Sequence, residues 1–306
     1  MQGRRILVTG AAGQIGLPIV TALAADNEVW GIARFRDDAG RHRLEQLGCT
    51  TRSVDLVDPD WAGLPEHFDH VIHLAFLNIS EPQYELAMTV NAEGTALLMS
   101  RFHTARSILV MSSCSVYRNH PDGAHPFVET DPLGDRHSAF SLAYGTTKTA
   151  QEAVARSLAR TLSIPTTIAR MNVSYGANGG LPAYQLDMIA AGAPVPVMTG
   201  GSWFNPIEEA DINAHVPRLL DVASVPATIV NWGGDDAVSS YEYVTFLGNL
   251  IGTAPNFVET PDGIPGRALD NTRRIELIGR CTVDWRTGLR ALAAHRHPAL
   301  VAAAGA

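Results

Sequence analysis

The chain has 306 residues, 46% of them hydrophobic and 18% charged, enough for one large α/β domain with an elaborated end or for two lobes. Lys and Arg total 23 against 31 Asp and Glu, a net charge of −8 that argues against a nucleic-acid partner. Three widely spaced cysteines, Cys49, Cys114 and Cys281, have neither metal-ligand nor disulfide spacing and fit a reducing compartment. The first residues enter an apolar run at once, and no run reaches the ~18 apolar residues of a membrane span. The expectation is a cytoplasmic protein with no membrane partner and no metal.

In chain order, Arg4 to Gly10 is a short β-branched run ended by glycine, a buried strand. Leu17 to Asp26 has apolar residues at helical spacing. Glu28 to Arg34 is a second strand, Arg41 to Cys49 a helix stopped by Gly48, Thr50 to Leu56 a third strand and Asp69 to Phe76 a fourth. A helix over Glu85 to Phe102 leads into the strand Ser107 to Ser113. After a long loop come a helix that begins near Tyr144 and the strand Pro165 to Met171. Strands alternating with helices predict right-handed βαβ crossovers and a doubly wound, mostly parallel sheet of Rossmann type.

Past Met171 the chain turns rich in Gly and Pro. One helix-like stretch, Leu181 to Gly192, interrupts it, and Ala227 to Gly234 reads as one more core strand. The expected organisation is a dinucleotide-binding domain over 1–170, rejoined by 206–234, with 171–205 and 235–306 forming a smaller, interleaved substrate lobe.

Between the first strand and first helix lies "TGAAGQIG", with Gly10, Gly13 and Gly16. Such glycines allow a tight turn, close approach of a pyrophosphate and close helix–strand packing, and the phosphate meets a helix amino terminus. Further along, "AYGTTK" sets Tyr144 and Lys148 four residues apart, on one face of a helix. An ammonium nearby favours the phenolate, and a phenol of lowered pKa can give or take a proton as hydride moves.

The Gly-x-x-Gly-x-x-Gly spacing resembles the short-chain dehydrogenase/reductase superfamily, in its extended branch of epimerases, dehydratases and reductases. "VIHLAF", "VNAEGTALLM", "MSSCSVY", "AYGTTK", "RMNVSYG" and "FNPIEEADI" resemble the family's further motifs in the right order, the last two in altered form. The likeness covers about Ile6 to Gly279. It implies Ser113, Tyr144 and Lys148 as the catalytic set, with Ser112 the alternative serine. It implies cofactor contacts from Gly10, Gly13, Gln14, Ile15, Gly16, Asp55, Leu56, Leu74 and Ala75, and again from Tyr144 and Lys148. Ser112, Cys114 and Trp203 are the candidates for touching substrate, and a homodimer is implied.

Two departures from the family pattern shape the expected activity. Dehydratases of the family place an Asp-Glu pair where this chain has Cys114-Ser115, which disfavours dehydration. Nucleotide-sugar enzymes of the family place arginines where this chain has Ser202-Trp203 and Ile264. A diphosphate without such partners is costly to bury, although Arg267, Arg273 or Arg274 could reach inward from a shifted loop. The sequence therefore predicts carbonyl–alcohol interconversion on a small to medium, largely uncharged substrate, with a nucleotide-sugar epimerase as the alternative. The second strand ends at Ala33 with no acid, followed by Arg34 and Arg36. Two guanidinium groups suit a 2′-phosphate, so NADP is expected, with NAD as the alternative.

Overall fold

The computed structural model describes residues 1–79, 83–134 and 143–305. They divide into two compact units, one drawn from 1–116, 141–170 and 213–230, the other from 117–140, 171–212 and 231–306.

The first unit begins with β1 (Arg5–Thr9), α1 (Gly16–Ala24), β2 (Glu28–Ala33), α2 (Asp38–Gln46), β3 (Thr50–Ser53) and β4 (His70–His73). It continues through α3 (Tyr84–Met88), a π-helical turn (Thr89–Glu93), α4 (Gly94–Arg101), β5 (Ser107–Ser113), α5 (Tyr144–Thr161) and β6 (Thr166–Met171). With Thr228–Trp232 these strands make a seven-stranded sheet in the order Thr228–Trp232, β6, β5, β4, β1, β2, β3. Pairing is parallel from β3 through β5, with Val8 opposite Gly31 on one side and Ile72 on the other. Ile6, Leu7 and Val8 are fully buried, as a strand covered by helices on both faces requires. Chain order reverses at β1, whose neighbours are β2 and β4. That reversal opens a crevice at the carboxyl ends of the strands, where doubly wound sheets bind ligands.

Two elements differ from expectation. α2 starts at Asp38, three residues before the predicted Arg41, because Asp37 caps it by accepting from the Gly40 amide at 3.0 Å. The single helix predicted from Glu85 to Phe102 is widened at Thr89–Glu93 into a π turn that carries the buried Asn91. Such turns occur often at functional sites.

In the second unit the sequence expects one helix among loops, but α6 (Leu181–Ala190) has company. α7 (Glu209–Asp221) carries the chain back to the first unit, and α8 (Ser240–Leu250), α9 (Thr272–Ile278), α10 (Trp285–Arg296) and α11 (Pro298–Ala304) follow. α8 is rich in aromatic and β-branched residues that favour strands. Its helix is secured instead by the Ser239 cap to the Glu242 amide and by burial of Tyr243, Val244 and Leu247. Trp285 and Leu289 of α10 join that core. The segment from Tyr117 belongs to this unit too: Phe127 exchanges backbone hydrogen bonds with Ala268 and Asp270, and its ring stacks on Tyr117 at 5.0 Å.

Candidate functional site

At the carboxyl ends of β1 to β4 the first unit holds a cavity of about 300 Å³. Gly10, Arg34, Arg36, Asp55, Leu56 and Ala75 form part of its wall, and they are residues the sequence assigns to cofactor binding. Its shape depends on glycines. Gly10 has φ of +65°, and a Cβ there would meet the Ala75 backbone at 3.0 Å, while a Cβ on Gly16 would lie 2.3 Å from the Gly10 carbonyl oxygen. A turn that side chains cannot occupy, set before a helix amino terminus and beside an open wall, fits a dinucleotide. Gly13 is exposed, Gln14 and Ile15 are half-buried, and Gly16 is buried at the start of α1; none of the four is among the wall residues. Leu74 is buried; its amide and that of Ala75 both donate to Thr9 Oγ1, which ties the β4 loop to the end of β1. Asp55 is exposed at the rim and accepts from the Val57 amide.

The first unit also brings Ser113, Tyr144 and Lys148 together. Ser113 ends β5, and Tyr144 and Lys148 occupy the first two turns of α5. The Ser113 hydroxyl is hydrogen-bonded to the Tyr144 phenol and lowers its pKa. Burial has the larger effect, so the phenol stands above its ordinary value rather than below it, contrary to the sequence-based expectation. Lys148 is buried, which pushes its ammonium down to about 7 against an upward pull from Glu152. Nζ donates to the Met111 carbonyl at 2.6 Å and to Gln151 Oε1 at 3.1 Å.

Behind the pair lies a buried polar network that the sequence did not reveal. Glu152 and Arg170 form a two-pronged ion pair at 2.9 and 2.8 Å. Ser112 donates to Glu152 at 2.5 Å, which directs this substrate candidate into the network. Gln151 Nε2 donates to Thr95 Oγ1, and His73 bridges Thr95 and Thr9 at 2.8 Å on each ring nitrogen. Burial, aided by Lys148, pushes His73 down to about 3, so it is a neutral tether. Asn91 links the Leu77 backbone to Thr147 of α5. Cys114 is buried next to Ser113, and its charge would raise the phenol's pKa. One signal was open to sequence reading: Lys148 is the only lysine among 306 residues, beside 22 arginines. No group of three or more metal-ligating side chains occurs among the described residues.

In the second unit Trp203 is half-buried and pairs with Ser239 in a short antiparallel ladder. Ser202 Oγ donates to the Ile264 carbonyl at 3.1 Å, so the two segments where the family places arginines touch. Arg267 is only 4% exposed. Its guanidinium donates to the carbonyls of Tyr117 and Gly266 and to Asn119 Oδ1. With Asn119, His120, Gly201, Ser202 and Gly266 it lines a cavity of about 190 Å³.

The model of the NAD dependent epimerase/dehydratase family matches residues 6–203. The UDP-glucose 4-epimerase of Mycolicibacterium smegmatis is 34% identical over 146 residues, 42% of this chain and 44% of that protein. The chain therefore spans less than half the length of that curated relative. Among solved structures, a UDP-glucuronic acid 4-epimerase from Bacillus cereus in complex with UDP-glucuronic acid and NAD superposes with a TM-score of 0.81 at 21% identity. That match covers 95% of this chain and 98% of the other. The UDP-glucose 4-epimerase of Thermus thermophilus, in complex with NAD, gives 0.77 at 21% identity over 96% and 99% of the two chains. At such identities the superpositions establish the shared fold. With the family model matching well over half of its length, the chain is an enzyme of the NAD dependent epimerase/dehydratase family.

Proposed function

We propose that the enzyme is a nucleotide-sugar epimerase that uses a tightly held nicotinamide dinucleotide. With its pyrophosphate at the glycine turn, the dinucleotide would supply hydride acceptance and return within one turnover. The positive charge of Lys148 and of a bound oxidised nicotinamide would free the phenolate, offsetting the burial that raises its pKa. Tyr144 would then take the proton from the reacting sugar hydroxyl and restore it, and Ser113 would hold the same oxygen by hydrogen bonding. Lys148 holds the ribose and keeps positive charge near the phenol.

The observation that carries this reading is Arg267. A buried guanidinium in a cavity walled by Ser202 and Gly266 puts positive charge where a diphosphate would sit, and its donors would exchange the Tyr117 and Gly266 carbonyls and Asn119 for phosphate oxygens. It stands three residues beyond Ile264, the position where the family places its arginine. The relatives named for UDP-sugar epimerisation add support. The second reading, a carbonyl reductase for an uncharged substrate, draws on Ser202 and Ile264 standing where the family has arginines.

Calorimetry with UDP and UDP-glucose in the presence of dinucleotide separates the two. Micromolar binding that Arg267→Ala abolishes supports the epimerase. Absence of binding to the wild-type protein favours the reductase.

The preference for NADP belongs to the same proposal. It is supported by Arg34 and Arg36 on the cavity wall, where Asp37 also lies while its carboxylate accepts from the Gly40 amide as a helix cap. NAD, the dinucleotide of the solved relatives, is the alternative. Cytoplasmic location and a homodimer are further parts of the proposal, the latter tested by sedimentation.

A further inference from the structure

Lys148 is enclosed on three sides. Two are the Met111 carbonyl and Gln151 Oε1, and Gln151 cannot turn away because its amide nitrogen is engaged by Thr95. The third is the ring of Phe76, whose centroid lies 4.1 Å from Nζ. The same ring meets Tyr144 edge to face, with centroids 5.0 Å apart and planes at 65°. Phe76 also forms part of the wall of the dinucleotide cavity. One side chain therefore touches both reacting groups and the ligand space.

A residue that merely fills volume could be any apolar side chain of similar size. What distinguishes an aromatic ring is its negative face, which attracts an ammonium that burial has stripped of water. Lys148 is such an ammonium, and the carboxylate acting on it, Glu152, already forms an ion pair with Arg170. The other titratable neighbours are His73, held neutral, and Tyr144, held protonated by burial. Neither supplies negative charge.

Resting on the reading of Tyr144 and Lys148 as the reacting pair, we propose that Phe76 is their positioning residue. Its face holds the ammonium, its ring packs against the Tyr144 ring at 65°, and its outer side is the wall a dinucleotide meets, so that binding is felt directly at Lys148. Phe76 performs no chemistry. It sets where Lys148 can donate, and a ribose hydroxyl that engages Nζ must share or displace the ring.

The single lysine makes this testable without a substrate. In the full chain labelled with 13C-lysine, the ε-CH2 group gives one NMR signal. The expected wild-type signal is shifted upfield by the ring and titrates well below the usual lysine range. Phe76→Tyr should keep both properties. Phe76→Leu should melt within a few degrees of wild type, lose the upfield shift, and titrate lower still by about half to one pH unit. A wild-type signal at its ordinary position, or a Phe76→Leu protein that keeps the shift and the titration, overturns the proposal. Addition of NAD or NADP should move the wild-type signal. Dinucleotide that binds by calorimetry yet leaves the signal unmoved contradicts the ligand-sensing part. Dinucleotide that fails to bind at all counts against the functional reading, while the ring shift and titration still decide the role of Phe76.

Discussion

His73 illustrates how a buried side chain links stability to pH. Both ring nitrogens are engaged, and its pKa in the folded chain is about 3 against an ordinary value near 6.5. A depressed pKa means the unfolded chain binds the proton first. The stabilisation from neutral His73 is thus complete above about pH 6.5 and drains away as pH falls toward 3. Replacing it with Gln should flatten the acid side of the stability curve by roughly 1.4 kcal/mol per pH unit in that window. Urea unfolding from pH 7 to pH 4 tests this; curves of equal slope would show that His73 does not control acid stability. At the cavity rim, Arg34→Ala combined with Arg36→Ala should weaken NADP binding by about 10–100-fold, the worth of hydrogen bonds to a charged group, and change NAD binding little. Tighter binding of NAD than NADP by the wild-type enzyme would remove the NADP preference. Ser113, Tyr144 and Lys148 were legible because proton transfer restricts the residue types and the helix restricts their spacing. Phe76, Gln151 and Arg170 were not, since a phenylalanine after a strand or a glutamine in a helix has no local signature. Only the fold supplies their partners.

At the scale of elements, α5 does two jobs on one face. Its first two turns present Tyr144 and Lys148, and the next presents Gln151 and Glu152 to the buried network. Removing the carboxylate with Glu152→Ala would leave Arg170 buried without its ion-pair partner and Ser112 without its acceptor. The expected loss is about 3–5 kcal/mol of unfolding free energy, measured by denaturant titration. A loss below 1 kcal/mol would mean that water or rearrangement replaces the pair. The first-unit strands were readable because a sheet covered on both faces leaves continuous apolar runs such as Ile6 to Val8. Helices of the second unit were hidden for the opposite reason. α8 and α10 hold through side-chain caps and tertiary burial, which override the strand preference of residues such as Tyr243 and Val244.

For the whole molecule, each unit carries its own candidate features. The first holds the glycine turn, the cavity and the Ser113–Tyr144–Lys148 set, and the second contributes Arg267 in a cavity of its own. The sequence singled out the first unit's candidates because backbone geometry and proton transfer leave few choices of residue. It left the role of Arg267 open, since its burial depends on how the loop carrying Gly266 lies against Trp203. The measurement that bears most directly on the account is turnover of UDP-glucose by the wild-type enzyme and by Tyr144→Phe, each with bound dinucleotide, followed by proton NMR of the sugar. The wild type is expected to equilibrate the sugar with its epimer while no reduced dinucleotide accumulates, and Tyr144→Phe to be slower by at least ~100-fold. Stoichiometric release of reduced dinucleotide and a ketone, or undiminished turnover by Tyr144→Phe, would contradict it.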